Sequence, residues 1–299
     1  MQKTIVFTVI NDLRSDQRME KICTTLQLAG FQVCLLGRAL PDSPELQTKP
    51  YQQIRIKCIF QKGKLFYIEY NIRLFIWLSR HYFHVYSAVD LDTLWPCYMA
   101  SKKWNSRLVY DAHEYFPEVP EVINRKWIHK IWTWWEKLWV PKVHQAYTVS
   151  GSLQKLFEEK YGVNFQLIRN VPYITECKRE AETVTDISER YILYQGALNK
   201  GRGLEGLILA MHQIPCQLWI IGEGDLSESL RVLVDQEGLD YKVKFIGFIS
   251  PDKLVEYTCK AYIGYNVSEP LGLSYYYSLN NKFFDYIMSG LPSLTNDFP

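Results

Sequence analysis

The sequence predicts an α/β chain built from two parallel-sheet domains, and three observations carry that reading. Short apolar runs alternate with helical patterns from residue 4 to about residue 172. A charged, weakly apolar stretch after Pro172 interrupts the pattern. The same alternation resumes at residue 190 and continues to Pro299. Strand–helix alternation at this spacing argues for parallel strands covered on both faces by helices. With 299 residues the chain can bury two cores.

In order, strands are expected at 4–10, 32–37, 54–60, 84–89, 107–111, 145–149 and 165–169, with helices around 16–29, 64–81, 91–103, 125–140 and 151–161. Residues 173–189 read as a linker between a first domain, 1–172, and a second, 190–299. In the second, strands are expected at 190–195, 217–221, 243–246, 261–265 and 292–295, and helices around 203–212, 225–237 and 251–259. Ligands of such sheets bind beyond the carboxyl ends of the strands, which selects the polar residues that matter.

Composition sets the outer bounds. Hydrophobic residues make up 47% and charged residues 22%, the balance of an ordinary globular protein. A net charge of +2 gives no argument for nucleic acid. Seven cysteines without a C-x-x-C pair give neither a disulfide framework nor a zinc site. The opening apolar run is only seven residues long and breaks into charge, so it does not read as a signal peptide. No stretch reaches the ~18 apolar residues of a spanning helix, and a cytoplasmic protein is expected.

After the first strand, Asn11-Asp12-Leu-Arg-Ser15-Asp16-Gln-Arg18 leads into a helix. Helix capping by Ser15 or Asp16 accounts for part of it. The glycine fingerprint of a dinucleotide site is absent, so Asp12, Asp16 and Arg18 are candidates to hold a polar acceptor. Asp90 and Asp92 follow the 84–89 strand, where Asp90 is either a further acceptor contact or a helix cap. Asp111-Ala-His113-Glu114 follows the 107–111 strand; a histidine between two carboxylates at a strand end is a candidate for chemistry.

The stretch from Asn124 to Lys142 holds five of the nine Trp and five Lys or Arg, with Glu136 its only acid. Such a helix suits an anionic membrane surface. The competing reading is a core helix with Trp132, Trp135 and Trp139 as its buried stripe. Trp127 and Trp134 leave that stripe and decide between the two.

In the second domain, the first turn is Gly196-Ala-Leu-Asn199-Lys200-Gly201-Arg202-Gly203. Glycines let a ligand approach the backbone, and Lys200 and Arg202 supply charge for a diphosphate. Gly222 opens a tight turn after the next strand, and Phe248 and Ile249 follow the one after. The helix NKFFDYIMS places Lys282, Asp285 and Ser289 on one face, and Phe283, Phe284, Ile287 and Met288 are expected to be buried opposite. A helix N-terminus beside a strand end, with a lysine in its first turn, is an anion site. A plain amphipathic helix with a solvated ion pair also fits this pattern.

These segments together resemble the family-4 glycosyltransferases of the GT-B fold, over essentially the whole chain. Asp285, Gly290 and Pro292 match the second half of the family's donor-nucleotide motif, and Glu269-Pro-Leu-Gly272 matches the first. The family leaves seven residues between the two acids, whereas eight extra residues, around SYYYSLNN, intervene here. Tyr277 stands at the regular spacing, so Glu269 and Tyr277 both remain candidates for the place near the transferred sugar. VYDAHEYFPEVPE puts His113 at the family's histidine, and Arg202-Gly203 stands at its diphosphate-binding Lys-Gly. Where the family often has an arginine after the first glycine, this chain has Ala197.

The resemblance implies two Rossmann-like domains facing each other across a cleft, with the donor in the second and the acceptor in the first. It implies a retaining hexosyltransferase with catalytic His113 and Glu269. Donor binding falls to Gly196, Lys200, Arg202, Gly222, Phe248, Ile249, Tyr277, Lys282 and Asp285. The donor would be a UDP- or GDP-sugar, and neither a cofactor nor a metal is implied. A glycan or lipid-linked acceptor is expected, in surface polysaccharide synthesis on the inner membrane face. The family's chains continue beyond the point matching Pro299, with a last helix returning to the first domain. A non-catalytic sugar-nucleotide binder and a nucleotide-sugar epimerase of the same fold are the alternatives.

Overall fold

The computed structural model describes residues 2–14, 16–173 and 186–299. Ser15 and most of the expected linker (174–185) lie outside the described residues. The chain divides into two compact units, Met1–Glu118 with Val122–Arg169, and Asn170–Pro299 with Val119–Glu121.

Along the chain the first elements are β1 (Thr4–Thr8), α1 (Gln17–Leu28), β2 (Gln32–Ala39), β3 (Gln52–Lys57), α2 (Gly63–Arg80) and β4 (Val85–Val89). They are followed by α3 (Leu94–Trp104), β5 (Arg107–Ala112), α4 (Pro120–Ile123), α5 (Lys126–Trp139), β6 (Gln145–Thr148), α6 (Gly151–Tyr161) and β7 (Phe165–Leu167). The seven strands form one parallel sheet in the order β3-β2-β1-β4-β5-β6-β7. Ile5, Phe7, Val33 and Leu35 of β1 and β2 pack with Met19 and Cys23 of α1. Asp16 caps α1 by accepting from Met19 N at 2.9 Å. Phe66, Tyr70, Leu74 and Leu78 recur every fourth residue and bury one side of α2.

The second unit runs β8 (Tyr191–Gln195), α7 (Leu204–Ala210), β9 (Gln217–Ile221), α8 (Ser227–Gln236), β10 (Val243–Gly247) and α9 (Pro251–Lys260). It ends with β11 (Ile263–Asn266), α10 (Leu273–Tyr276), α11 (Asn281–Met288) and β12 (Ser293–Thr295). This sheet is also parallel, ordered β10-β9-β8-β11-β12. In both sheets the first strand lies where the strand order reverses, so its carboxyl end opens the crevice in which ligands bind.

Two expectations are corrected. On α11 the buried residues are Lys282 and Tyr286, with Ser289 just beyond, while Ile287 is 54% exposed and Met288 is exposed with it. Of the apolar residues expected inside, Phe283 and Phe284 are only half-buried. The reason is Tyr286, whose ring fills the space left by Gly264 and whose hydroxyl donates to Leu193 O at 3.1 Å. The second correction concerns cysteine: Cys23, Cys34, Cys58, Cys97 and Cys216 are free, but Cys259 is disulfide-bonded. Among the described residues no helix is long and apolar enough to cross a membrane.

Candidate active site

The carboxyl ends of β8, β9 and β10 are tied together by backbone. Gly196 N donates to Ile221 O at 2.9 Å, and Gly222 N donates to Gly247 O at 2.9 Å. Gly196 and Gly222 both have positive φ, +129° and +133°, and a Cβ on Gly222 would stand 2.0 Å from Gly196 O. Only glycine fits there. The bare Cα of Gly196 in turn leaves room for Lys282, whose Nζ would lie 3.7 Å from a Cβ at that position.

Lys282, in the first turn of α11, is the unusual residue. It is buried, its Nζ lies 3.8 Å from the centroid of the Tyr194 ring, and no carboxylate among the described residues forms an ion pair with it. Burial, and then the neighbouring charge of Arg202, push its pKa well below that of an ordinary lysine. Arg202 lies with its guanidinium 4.5 Å above the Tyr275 ring and donates to Asn280 Oδ1 at 3.0 Å. Asn280, the N-cap of α11, also donates to Asn266 Oδ1 at 3.2 Å and to Ser268 Oγ at 3.3 Å. Two cations thus converge on a helix N-terminus and a glycine turn, the arrangement that binds phosphate.

Asp285, one turn along α11, accepts from Gln195 Nε2 at 2.9 Å, and Gln195 Oε1 accepts from Thr258 Oγ1 at 2.9 Å. Glu269 N donates to Gly201 O at 2.8 Å, which holds Glu269 against the glycine turn. Tyr277 ends α10 and packs edge-on against Tyr276, with ring centroids 5.1 Å apart. Lys200 is exposed, and its carbonyl accepts from Tyr275 OH at 3.4 Å. Phe248 projects into solvent past β10, whereas Ile249 packs against the core of Tyr191, Ile221 and Tyr286. Gln195, Asn280, Asn266 and Tyr194 were missed in the sequence, because single polar or aromatic residues with no spacing pattern carry no signal before folding.

In the first unit the charges pair with one another. Arg18 reaches Asp111 through two contacts, Nη2 to Oδ1 at 2.6 Å and Nε to Oδ2 at 3.3 Å, and both side chains are buried. Burial opposes the charge on Arg18, but Asp111 more than offsets it, and the guanidinium pKa is raised. Asp12 accepts from Arg14 N at 3.2 Å and from Ser43 Oγ at 3.1 Å. Asp16 caps α1 and also accepts from Asn11 Nδ2 at 2.6 Å. Asp12 and Asp16 therefore hold the turn after β1 in shape, and Arg18 ties α1 to the end of β5.

Asp90 adopts φ +60°, and its Oδ2 lies 3.1 Å from His113 Nδ1. Burial alone would discharge His113; Asp90 foremost, with Glu114 and Asp111, raises its pKa to about 10, so at neutral pH it is an imidazolium. Asp92 is buried beside them, and burial with the charges of Asp90 and Glu114 pushes its carboxyl well upward. One carboxyl oxygen each of Asp90 and Asp92 is buried without a hydrogen-bond partner among the described residues.

Two Rossmann-like parallel sheets on one chain, of seven and five strands, define the GT-B class of α/β protein. Residues 17–173 match the model of Glycosyltransferase Family 4, and residues 178–276 match Glycosyl transferases group 1. The chain belongs to Glycosyltransferase Family 4. The uncharacterized glycosyltransferase MJ1607 of Methanocaldococcus jannaschii is 40% identical over 70 residues, 22% of this chain and 18% of that relative. The chain thus aligns with less than a fifth of that relative's length. Sucrose-phosphate synthase from Thermosynechococcus elongatus superposes with a TM-score of 0.81 at 16% identity, over 99% of this chain and 82% of that one. HepE of Anabaena in complex with UDP-glucose gives 0.71 at 15% identity, over 99% and 80%. At these identities the likeness is one of fold.

Proposed function

We propose that the protein transfers a hexose from a nucleotide diphosphate sugar, a UDP- or GDP-sugar, to a glycan or lipid-linked acceptor, with retention of configuration. The observation that carries this reading is Lys282, a buried lysine with no carboxylate counterion among the described residues, placed beside Arg202 at the N-terminus of α11. A diphosphate supplies the missing charge. Lys282, Arg202, Lys200 and the amides of the turn at Gly196 and Gly222 stabilise the departing nucleotide by fixed electrostatics, so no metal is assigned to the step. Asp285 takes the ribose hydroxyls, and Phe248 and Ile249 flank the base.

His113, held as an imidazolium by Asp90, orients the transferred sugar through a hydroxyl. Glu269, tied to the glycine turn, takes the place near that sugar in preference to Tyr277, which ends α10. HepE, solved with UDP-glucose, supports the choice of donor class. We assign the activity to surface polysaccharide synthesis on the cytoplasmic side of a membrane, reached through the exposed side of α5. On that helix Trp127 is 79% and Trp134 58% exposed, while Trp132 packs on Tyr67 and Phe116 and Trp139 on Tyr98.

The test is a thermal-shift screen of sugar nucleotides, followed by product analysis by NMR with and without acceptor. Donor-dependent stabilisation and a product with the donor's anomeric configuration are expected. Inversion would remove the mechanism. Conversion of the sugar nucleotide without any acceptor would make the protein an epimerase.

A further inference from the structure

A second exposed stripe lies on α2. Leu65, Ile68, Ile72 and Ile76 recur at spacings of three and four and are between 41% and 57% exposed, directly opposite the buried Phe66–Leu78 side. A surface helix ordinarily puts polar residues there. The crossovers β3 to β4, β4 to β5 and β5 to β6 all run in one direction across the sheet. With right-handed connections α2, α3 and α5 therefore share one side of it. Ring contacts join them as a layer: Tyr67 of α2 to Trp132 of α5 at 5.7 Å, Phe75 of α2 to Trp95 of α3 at 5.7 Å, and Tyr98 of α3 to Trp139 of α5 at 5.1 Å.

The outer side of this layer is also predominantly basic. Its basic residues are exposed: Lys64, Arg73 and Arg80 on α2, Lys102 and Lys103 on α3, and Lys126, Lys130 and Lys137 on α5. The three helices contain two acids. Glu69 accepts from Ile59 N and Phe60 N and pairs with Arg73 Nε at 2.7 Å, and Glu136 is buried against Lys160 and Tyr161. On α5, Trp127, Ile131 and Trp134 share their face with Lys130, whose Nζ lies 5.3 Å from the Trp127 ring.

We infer that the outer side of α2, α3 and α5 is one docking face for an anionic lipid bilayer, with the Leu–Ile stripe of α2 inserted alongside the tryptophans of α5. The charge identifies the occupant. Aliphatic side chains without hydrogen-bonding groups gain from burial among acyl chains, while the flanking lysines reach lipid phosphates. A nucleic acid would use the lysines and leave the isoleucines in water. The inference rests on reading α5 as lipid-facing and is independent of the donor site.

The experiment is co-sedimentation with phosphatidylcholine–phosphatidylglycerol vesicles and with pure phosphatidylcholine vesicles. It compares the wild type, an Ile68→Gln/Ile72→Gln variant and a Trp127→Ala/Trp134→Ala variant, with melting curves and UDP binding as controls for folding. The wild type is expected to sediment with the anionic vesicles only. Each variant should partition at least about tenfold more weakly, since two buried apolar side chains are lost. Wild-type partitioning of the α2 variant beside a weakened α5 variant would overturn the α2 assignment and leave α5 as the contact. No vesicle binding by the wild type would overturn both. A wild-type dimer in sedimentation equilibrium that the α2 variant dissociates, or RNA binding without vesicle binding, would assign the face to another partner and overturn the proposal.

Discussion

The turns that leave β1 and β8 occupy the same place in two sheets of like strand order, yet they treat charge in opposite ways. After β1, Arg18 is matched by Asp111, and Asp12 and Asp16 are occupied by neighbouring donors. After β8, Lys282 and Arg202 stand close together, with no carboxylate among the described residues in an ion pair with either, around a turn reduced to bare backbone at Gly196 and Gly222. A folded chain tolerates a buried unpaired cation only at a cost, because low polarity disfavours the charged form. The first turn is internally paired, whereas the second leaves its cations for the diphosphate proposed above.

The largest expected effect breaks the first turn. Arg18→Met leaves Asp111 buried without its partner and should destabilise the first unit by about 3–5 kcal/mol in denaturant titrations. Nucleotide affinity should be unchanged; a parallel loss of affinity would mean that the two turns are not independent. The matching substitution in the second unit has the opposite sign on stability. Lys282→Met removes an amine that burial holds toward its neutral form, so the free protein should gain about 1–3 kcal/mol while nucleoside diphosphate affinity falls by about 2–5 kcal/mol. Loss of both stability and affinity would make Lys282 a packing residue.

That contrast was only partly legible in the sequence. Alternating apolar runs located all twelve strands of the two sheets, since buried parallel strands are nearly continuous in apolar residues. Lys282 and Asp285 were legible as a pair one turn apart, because helical spacing alone puts them on one side. The side of α11 that is buried was not legible. Phe283, Ile287 and Met288 outweigh a lone lysine in any hydrophobic pattern, and only Gly264, distant in sequence, makes the recess that seats Tyr286. The pairing of Arg18 with Asp111 was not legible, because the two lie 93 residues apart.

A smaller effect sharpens the donor side. Asp285→Ala should weaken nucleotide binding by about 1.5–3 kcal/mol, the range for hydrogen bonds to a charged group. Asp285→Asn, which keeps an acceptor for Gln195, should retain part of that affinity in the same calorimetric titration. Equal affinities for all three proteins would remove Asp285 from the ribose.

A pH dependence belongs to the first unit. The His113 pKa is raised from 6.5 to about 10 by its carboxylate neighbours, chiefly Asp90, so its contribution to stability is complete below about 6.5 and is lost as pH rises through about 10. The melting temperature should fall across that window, and His113→Gln should flatten the slope. An unchanged slope would mean that Asp90 and His113 are not coupled.

The central claim, that the turn after β8 is an anion site with an unsatisfied lysine, is tested most directly by proton-linked calorimetry. UDP is titrated into the protein in two buffers of different ionisation enthalpy, at pH values rising from neutral toward the 10.5 of an ordinary lysine. Lys282 is depressed in the free protein, and a diphosphate restores its charge. Binding should therefore take up protons and weaken as pH rises, and the uptake should vanish in Lys282→Met. UDP binding of undiminished strength with no proton uptake in the wild type, or the same uptake in the variant, would contradict the account.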